Sequence, residues 1–358
     1  MRTLGNKLIS STLAWTTVAA AAALGLAQQR PDAAESRRAI DDLLAGRFQW
    51  KISERLVAPA HRPEDPCYSV KDPSVVFYRG RWHLFCTIRS QKRSHQVEYL
   101  SFADWKEAGA ARRHLLKPSE GFFCAPQVFY FAPQKKWYLI CQASDKAWKP
   151  EYGAAYSTTS ELADPDSWSK LKPLGAQQAQ GKSGLDFWII CDDRKAHLFF
   201  TTLDGRMWRE ETRLEDFPGG WSEAKLAIEG DIFEASHTYK LQGLDKYLTV
   251  VEAQGGHGWR YFKAYLADRL EGPWTPLAAT RNKTFASMAN ARPVGDRWTD
   301  SISHGELLRA GVDQRLEVDP ANLRFLFQGV SDQARAGKPY GQIPWRLGLL
   351  EKDNLNRP

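Results

Sequence analysis

Stretches in which hydrophobic and polar residues alternate recur along most of this chain. Four of them have the form of a strand, a short turn and a second strand, and all are rich in aromatic residues. They are VVFYRGRWHLF at 75–85, VFYFAPQKKWYLI at 128–140, IICDDRKAHLFF at 189–200 and TYKLQGLDKYLTVV at 238–251. Alternation with a period of two, bounded by turn residues, is typical of β-hairpins. The pattern therefore predicts a chain of successive hairpins with little helix.

The hairpins repeat at a nearly regular spacing. Their second strands carry corresponding residues 55, 60 and 50 positions apart, namely Trp82, Trp137, His197 and Tyr247. Each hairpin is followed by a unit with one tryptophan, and these are Trp105, Trp168, Trp221 and Trp274. A fifth, degenerate unit fits residues 324–352. Such all-strand repeats predict an all-β, five-bladed β-propeller whose repeated tryptophans pack between blades, with a two-sheet β-sandwich as the main alternative.

The first 50 residues differ from the rest of the chain. Arg2 and Lys7 precede an apolar, alanine-rich run at 13–26, and small residues stand just before Gln28. These features predict a signal peptide over residues 1–27, with an uncleaved anchor as the alternative. Residues 28–50 are polar and charged, include a short predicted helix in ESRRAIDDLLAG, and are interpreted as a linker or N-terminal extension. We expect the propeller domain to occupy residues 51–358 and the protein to be secreted, either extracellular or periplasmic.

Composition narrows the classes of function. The 358 residues are 43% hydrophobic and 25% charged, which is typical of a globular protein. The formal net charge of +7 comes from basic residues scattered among acids, so we expect no nucleic-acid partner. The five cysteines include no C-x-x-C pair, and most lie within or beside apolar strands, so we expect no disulfide framework. Once the signal is removed, we expect a monomer that does not associate with membranes.

Three acidic residues open hairpin units directly before apolar strand residues. Asp72 precedes PSVVFY, Asp186 precedes FWII, and Glu234 stands in DIFEASHTYKL. Each acid alone has a structural explanation, because Asp before Pro commonly starts a turn, Asp186 could bond backbone amides at a strand end, and Glu234 could be an exposed strand residue. In a propeller, however, the first strand of every blade lines the central axis, so these three carboxyl groups are expected to converge. Convergent carboxyl groups suit glycoside hydrolysis, and Lys71 would favour the ionised form of its neighbour Asp72. Asp192 and Asp193 are interpreted as turn acids.

The chain resembles glycoside hydrolase family 62, whose members are α-L-arabinofuranosidases that remove arabinose side chains from xylan. The similarity runs from about Phe48 to Leu350. It rests on the Lys-Asp opening with VVFYRGRWHLF and on APQVFYFAPQKKWYLI, FEASHTYKLQGLDKYLTVVEA, WRYFKAYLADRLEGPWTPLA, SISHGELLR, VDPANLRFLFQG and YGQIPWRLGLL. Members of this family fold as five-bladed propellers, in agreement with the repeat count.

The resemblance implies a role for each catalytic candidate. Asp72 matches the general base, Glu234 the general acid, and Asp186 the acid that tunes the pKa values and orients the pair. Family members invert the anomeric carbon, and the resemblance implies arabinoxylan or an arabino-oligosaccharide as the substrate.

The resemblance also implies residues that bind the substrate and an ion. Lys71, Arg260 and Tyr340 match positions that line the arabinose pocket. His304 matches a residue near an axial ion, usually calcium, that would be held largely through waters. No cofactor is expected for the chemistry.

The chain departs from familiar members at several positions beside these residues. Pro73-Ser74 replaces Phe-Thr, Phe187 replaces Gln, Glu306 replaces Asp, and Ala321 stands where a cysteine is usual. The alternatives are a related propeller glycosidase, such as a β-xylosidase or endo-arabinanase, and a non-catalytic sugar-binding propeller. The three retained acids argue against the last, because binding alone needs no proton donor.

Overall fold

A computed structural model describes residues 32–176, 179–255 and 260–353 of the protein. It contains five mostly antiparallel sheets arranged as the blades of a propeller, which confirms the predicted fold. The predicted signal peptide lies outside the described residues. No helix within the described ranges is long and apolar enough to cross a membrane. All five cysteines are free thiols, as expected from their spacing.

The chain enters the fold through one helix and one strand, and then builds three four-stranded blades in sequence. The entry elements are α1 (Ala33–Leu44) and β1 (Trp50–Ile52). Blade 1 contains β2 (Cys67–Tyr78), β3 (Arg81–Ser90), β4 (Gln96–Phe102) and β5 (His114–Leu115). Blade 2 contains β6 (Phe123–Phe131), β7 (Lys136–Ser144), β8 (Tyr152–Thr159) and β9 (Lys172–Pro173). Blade 3 contains β10 (Leu185–Cys191), β11 (Lys195–Thr201), β12 (Arg206–Arg213) and β13 (Lys225–Glu229).

The last two blades include strands from distant parts of the chain. Blade 4 contains β14 (His237–Leu241), β15 (Tyr247–Gln254), β16 (Arg260–Ala267), β17 (Thr275–Thr280) and β18 (Lys283–Thr284). Blade 5 contains β19 (Ala291–Pro293), β20 (Ser303–Leu307), β22 (Arg324–Gly329) and β23 (Arg346–Lys352), and the intervening β21 (Glu317–Val318) pairs with β14 of blade 4. Within the described residues, a second helix, α2 (Asp332–Arg335), and 3₁₀ turns at Trp105–Ala110, Ala132–Gln134 and Tyr340–Gln342 complete the regular structure.

The four predicted hairpins are the two innermost strands of blades 1 to 4. The acidic pair Asp192 and Asp193 lies in the turn between β10 and β11, as expected. In blade 5 the predicted unit at 324–352 corresponds to β22 and β23, and the innermost strand is instead β20. Alternation did not reveal β20, because the segment SHGEL is buried along its whole length while four of its five residues are polar or Gly.

Strand β1 closes the ring by joining the last blade. It pairs antiparallel with β23, with Trp50 opposite Lys352 and Ile52 opposite Leu350. Trp50 is buried, and its indole N–H donates to the carbonyl oxygen of Phe285 at 2.6 Å. The expected domain boundary between residues 50 and 51 therefore falls inside a strand of blade 5, and Leu43 of α1 belongs to the same core cluster.

Aromatic rings fill the spaces between blades. Trp168 of blade 2 meets Phe85 of blade 1 edge-on at 5.7 Å, and Trp274 of blade 4 meets Phe199 of blade 3 at 6.0 Å. The predicted inter-blade role is therefore confirmed for Trp168 and Trp274, whereas Trp105 and Trp221 make their aromatic contacts within their own blades. Burying an aromatic side chain of this size contributes on the order of 2–3 kcal/mol.

A closed ring of hydrogen bonds joins the innermost strands around the axis. In each blade one side chain bonds to the backbone of the next blade: Ser74 to Val128 (3.0 Å), Gln127 to Ile189 (2.7 and 2.8 Å), Trp188 to Thr238 (2.9 Å), His237 to Gly305 (2.7 Å) and Glu306 to Val75 (3.3 Å). These bonds satisfy buried backbone groups that no strand ladder reaches. They also give Ser74 and Glu306, two of the departures from familiar family members, a structural role.

The segment at 309–318 crosses one end of the axis, where the innermost strands finish. Its backbone accepts hydrogen bonds from Tyr130 of blade 2, Cys191 of blade 3 and Lys240 of blade 4. The buried Arg309 donates to the carbonyl oxygens of Val75 and Val128 at 3.0 and 2.8 Å. Access to the axis is therefore expected from the opposite end, where the innermost strands begin.

Candidate active site

The open end of the axis is shaped by one unusual backbone conformation that recurs from blade to blade. Asp72, Ala125, Asp186 and Ala235 all have positive φ values, between 49° and 53°. In blades 1 to 3 this residue lies in a β-bulge, and the corresponding register shift in blade 5 falls at His304. A bulge redirects a side chain out of the regular strand alternation. The repeated bulge thus turns the side chains of Asp72, Asp186 and His304 toward one another.

The backbone N–H at each of these bulges is held by a side chain of the preceding blade. The donor and acceptor pairs are Asp72 with Gln328 (2.8 Å), Ala125 with Thr87 (2.8 Å), Asp186 with Gln142 (3.0 Å), Ala235 with Asp186 (2.9 Å) and His304 with Glu252 (2.9 Å). Four of the acceptors lie on the second strand of their blade. In blade 3 the second-strand residue is Thr201, whose hydroxyl has no partner among the described residues. The Asp186 carboxylate takes its place, which fixes Asp186 beside the backbone that carries Glu234.

Asp72 is held as a carboxylate. Its side chain is buried, with Lys71 Nζ 3.3 Å from Oδ2 and His304 Nδ1 3.5 Å from Oδ1. Burial alone would raise the pKa of Asp72, but the charges of Lys71 and His304 and a hydrogen bond from Thr87 together outweigh burial, and the pKa lies below its ordinary value. A buried carboxylate that stays ionised in this way is suited to accept a proton.

Asp186 lies across the same histidine but has the opposite preference. Its Oδ2 atom is 3.5 Å from His304 Nδ1 and also accepts the N–H of Ala235. Burial and the negative charge of Asp72 raise the pKa of Asp186 to about 7. Two carboxyl groups that face one ring nitrogen therefore differ in charge near neutral pH, as expected for close acids in a shared site.

Glu234 contacts a third set of partners. Its Oε1 atom lies 2.9 Å from Arg260 Nη1 and 3.3 Å from the hydroxyl of Tyr340. Burial and the neighbouring Glu252 raise the pKa of Glu234 to about 7, against the opposing effect of Arg260. The family resemblance assigns the tuning of pKa values to Asp186, but Asp186 raises the pKa of Glu234 less than Glu252 does.

Glu252 is the functional-site residue that sequence reasoning missed. It has no exposed surface, and its carboxylate accepts from Arg260 at 2.7 Å, from the Ser303 hydroxyl at 2.9 Å and from the His304 backbone at 2.9 Å. The signal was present in the segment TVVEA, where a single acid interrupts an apolar strand of blade 4. An ionised group in such a run needs a buried partner, and Arg260 is that partner.

The three residues expected to bind substrate, Lys71, Arg260 and Tyr340, lie together beside these acids. The ring of Tyr340 is 47% exposed, and Lys71 Nζ and Arg260 Cζ each lie 5.6 Å from its centre. Arg260 also stacks on Phe233 at 4.2 Å. Trp188, in contrast, is buried against the ring of His237 and is not available to stack on a sugar.

His304 is the residue expected to lie near an ion. Calcium takes six to eight oxygen ligands. Asp72 and Asp186 present carboxylate oxygens to the His304 ring, so these two protein ligands would not fill a calcium shell and waters would supply the rest. The ion therefore stays a prediction, and the chemistry below does not depend on it.

A separate cluster of acidic and histidine side chains lies in blade 3 and the loop after β16. Asp192, His197 and Glu271 are close enough to share an ion. His197 is already bonded there on both ring nitrogens, to Asp192 at 2.9 Å and to Arg209 at 2.9 Å. Because neither nitrogen is free to ligate a metal, this cluster is better explained as a hydrogen-bonded ion-pair network.

A pocket that holds one ionised carboxylate beside two carboxyl groups that keep protons near neutral pH has the functional groups that glycosidic bond cleavage requires. On a five-bladed propeller, this site defines the class as a glycoside hydrolase. The family follows from comparison with known proteins. The model of glycosyl hydrolase family 62 matches residues 49–351, and the chain belongs to this family.

Individual relatives agree with this assignment. The chain is 40% identical over 311 residues to α-L-arabinofuranosidase C of Cellvibrio japonicus, covering 85% of this chain and 47% of that protein. It thus spans about half the length of this relative. The catalytic domain of a family 62 α-L-arabinofuranosidase from Coprinopsis cinerea is 36% identical, with a TM-score of 0.80 over 86% of this chain and 98% of that one. An α-L-arabinofuranosidase from Podospora anserina, solved in complex with cellotriose, is also 36% identical, with a TM-score of 0.78 over 86% and 97% of the two chains.

Proposed function

We propose that the protein is a secreted, inverting α-L-arabinofuranosidase that releases arabinose side chains from arabinoxylan. The observation that carries this proposal is the opposite protonation of two buried acids at one end of the propeller axis. Asp72 is held ionised beside Lys71, whereas Glu234 keeps a proton near neutral pH. The similarity to named α-L-arabinofuranosidases supports the choice of sugar.

In this proposal Glu234 is the general acid and Asp72 the general base. Glu234 gives its proton to the glycosidic oxygen as the bond from that oxygen to the anomeric carbon breaks. A water molecule attacks the same carbon from the opposite face and loses a proton to Asp72. The products are free arabinose of inverted configuration and a xylan hydroxyl, with one proton delivered and one taken up.

Asp186 is assigned a supporting role in the same step. Its contact with the Ala235 backbone N–H at 2.9 Å fixes the segment that carries Glu234. Asp186 also lies close to His304, and His304 lies close to Asp72, so this ring links the segment that carries the general acid to the general base. Lys71, Arg260 and Tyr340 are assigned to binding the sugar hydroxyls, with the half-exposed Tyr340 ring at the entrance.

The shape of the site favours a side-chain sugar over an internal unit of a polymer. The axis is crossed at its far end by residues 309–318, so the pocket is reached from one end. A terminal pentose can enter such a pocket while the xylan backbone stays outside. Arabino-oligosaccharides would enter in the same way.

The decisive experiment is incubation with wheat arabinoxylan, followed by chromatography of the products. We expect free arabinose, without xylose or arabinan fragments. Proton NMR of the fresh product should show the β-anomer first, whereas immediate α-anomer would contradict inversion.

Two variants test the roles of the acids. Asp72→Asn and Glu234→Gln should each lower the turnover by at least about 10²-fold, because each removes one proton-transfer group. The matched control is Asp166→Asn, since Asp166 is an exposed acid paired only with Lys117 at the surface. Circular dichroism should show that all three variants are folded. Turnover near the wild-type value in either active-site variant would overturn the assignment.

A further inference from the structure

We propose that Glu252 is a positioning residue for the acid group of the site, because it draws Arg260 between two carboxyl groups and so prevents Arg260 from pairing with Glu234 alone. This inference rests on the proposed function of Glu234 as the general acid. It assigns a role to a residue of blade 4 that has no exposed surface.

One guanidinium nitrogen serves both acids. Arg260 Nη1 lies 2.7 Å from Glu252 Oε1 and 2.9 Å from Glu234 Oε1. The backbone fixes this arrangement, because the N–H of Glu252 donates to the carbonyl oxygen of Glu234 at 2.9 Å and the N–H of Phe233 donates to that of Glu252 at 2.8 Å. The two carboxyl groups therefore compete for the same donor.

The structural role of Glu252, which is to accept a backbone hydrogen bond, does not require a charge. Its Oε2 atom accepts the backbone N–H of His304, which is the bond that second-strand residues make in other blades. Thr87, Gln142 and Gln328 make that bond with neutral side chains. A fully buried carboxylate carries a desolvation cost of several kcal/mol that a glutamine would avoid. Among these second-strand residues, Glu252 is the one that carries a charge. We infer that this charge is kept for its effect on Arg260 and Glu234.

Charged and titratable groups from three blades and from one 3₁₀ turn surround Glu234. Arg260 and Glu252 act from blade 4, Asp186 from blade 3, Lys71 from blade 1, and Tyr340 donates a hydrogen bond from the 3₁₀ turn at the mouth. After burial itself, Glu252 has the largest effect in raising the pKa of Glu234. Without the Glu252 charge, Arg260 would stabilise ionised Glu234, and the acid would lose its proton at lower pH.

The test is the pH dependence of kcat/KM of Glu252→Gln on an arabinoxylan oligosaccharide. The carboxamide can still accept from the His304 backbone, so the blade contact is kept. We expect the alkaline limb, which reports loss of the acid proton, to move to lower pH by roughly one unit or more, while the acid limb set by Asp72 stays in place. Glu252→Asp should restore the limb toward the wild-type position. The control Glu229→Gln, at an exposed salt bridge with Arg206, should leave the profile unchanged.

A second variant keeps the proposal testable if Glu252→Gln does not fold. Ser303→Ala removes one donor from Glu252 Oε1, so this oxygen should bind Arg260 more strongly and the alkaline limb should move to higher pH. A fall in kcat with both limbs unmoved would show a merely structural role and overturn the proposal, as would a limb that moves the other way in either variant.

A direct titration separates this inference from the proposed function. Carbon-13 NMR of the Glu234 carboxyl, assigned by its loss in Glu234→Gln, measures the protonation of that group without any substrate. If the wild-type protein released no arabinose, the proposed function would fail, yet a lower titration midpoint of Glu234 in Glu252→Gln would still support the role of Glu252. An unchanged midpoint would overturn it.

Discussion

Replacing Lys71 by methionine tests how the base is kept ionised. The change removes the charge 3.3 Å from Asp72 Oδ2 while nearly preserving the length of the side chain. At that distance two unit charges attract by about 1 kcal/mol in a water-like medium and by about 5 kcal/mol at an effective dielectric constant of about 20. Since about 1.4 kcal/mol is a tenfold change in proton binding, even the lower figure weakens ionisation of Asp72 about fivefold.

The sign of the effect on activity follows directly. Lys71 lowers the pKa of Asp72 against the effect of burial, so its removal raises that pKa. A base that must be ionised then becomes protonated at a higher pH, and activity is lost sooner as the pH falls. We therefore expect the acid limb of the kcat/KM profile of Lys71→Met to move upward, with the alkaline limb little changed.

The assay is arabinose release from an arabinoxylan oligosaccharide across the pH range, with kcat and KM measured separately. Lys71 is also assigned to sugar binding, so KM is expected to rise, but a loss of binding alone lowers the whole profile without moving its limb. The control is Lys117→Met, which removes an exposed lysine from an ion pair with Asp166 of similar length and should have no effect. An acid limb that stays in place while the amplitude falls would refute the electrostatic role.

Three further predictions concern stability. Trp50→Ala should lower the free energy of unfolding by roughly 3–5 kcal/mol in chemical denaturation, because it empties a buried site on the strand that closes the ring, whereas Phe77→Ala, at a 47% exposed ring, should cost under about 1 kcal/mol. Gly305→Ala places a Cβ 2.4 Å from a backbone oxygen of β22 and should lower the melting temperature. The control Gly311→Ala, whose Cβ meets no atom within 4 Å, should not. Equal melting temperatures would contradict the close packing of β20 against β22. Burial and Asp72 raise the pKa of Asp186 from 3.8 to about 7, so the folded protein loses stability as the pH rises through that interval. Asp186→Asn should therefore stabilise the protein at pH 8 by up to about 4 kcal/mol but have little effect at pH 4. A stability difference independent of pH would rule this out.

Local patterns in the sequence were sufficient for the fold because each blade is built from neighbouring strands. The alternation that predicts the inner hairpins reports burial of one face of a strand, and their spacing gives the repeat. The same information could not reveal strand β1, since Trp50 pairs with Lys352, about three hundred residues away. It also missed β20, where Glu306 and Ser303 are buried through hydrogen bonds rather than through apolar character.

For the site, position in the repeat predicted which acids meet but not what each one would do. Asp72, Asp186 and Glu234 were found because blade-opening residues share one end of the axis. The difference in their protonation depends on atoms that no motif contains, such as the shared nitrogen of Arg260. Glu252 was missed for the same reason, because its importance arises from contacts across the blade and not from its place at a strand opening.

The contrast between Asp72 and Asp186 shows how a repeat generates two chemistries from one backbone geometry. Both residues have the same left-handed conformation, both lie in a bulge, and both face His304 Nδ1 at 3.5 Å. What differs is the residue before each bulge, Lys71 in blade 1 and Leu185 in blade 3. The cation lowers one pKa, while the apolar neighbour leaves burial and the charge of Asp72 to raise the other. Because the ring of inter-blade hydrogen bonds fixes the backbone independently of these side chains, the pocket can be differentiated residue by residue without any change in the fold.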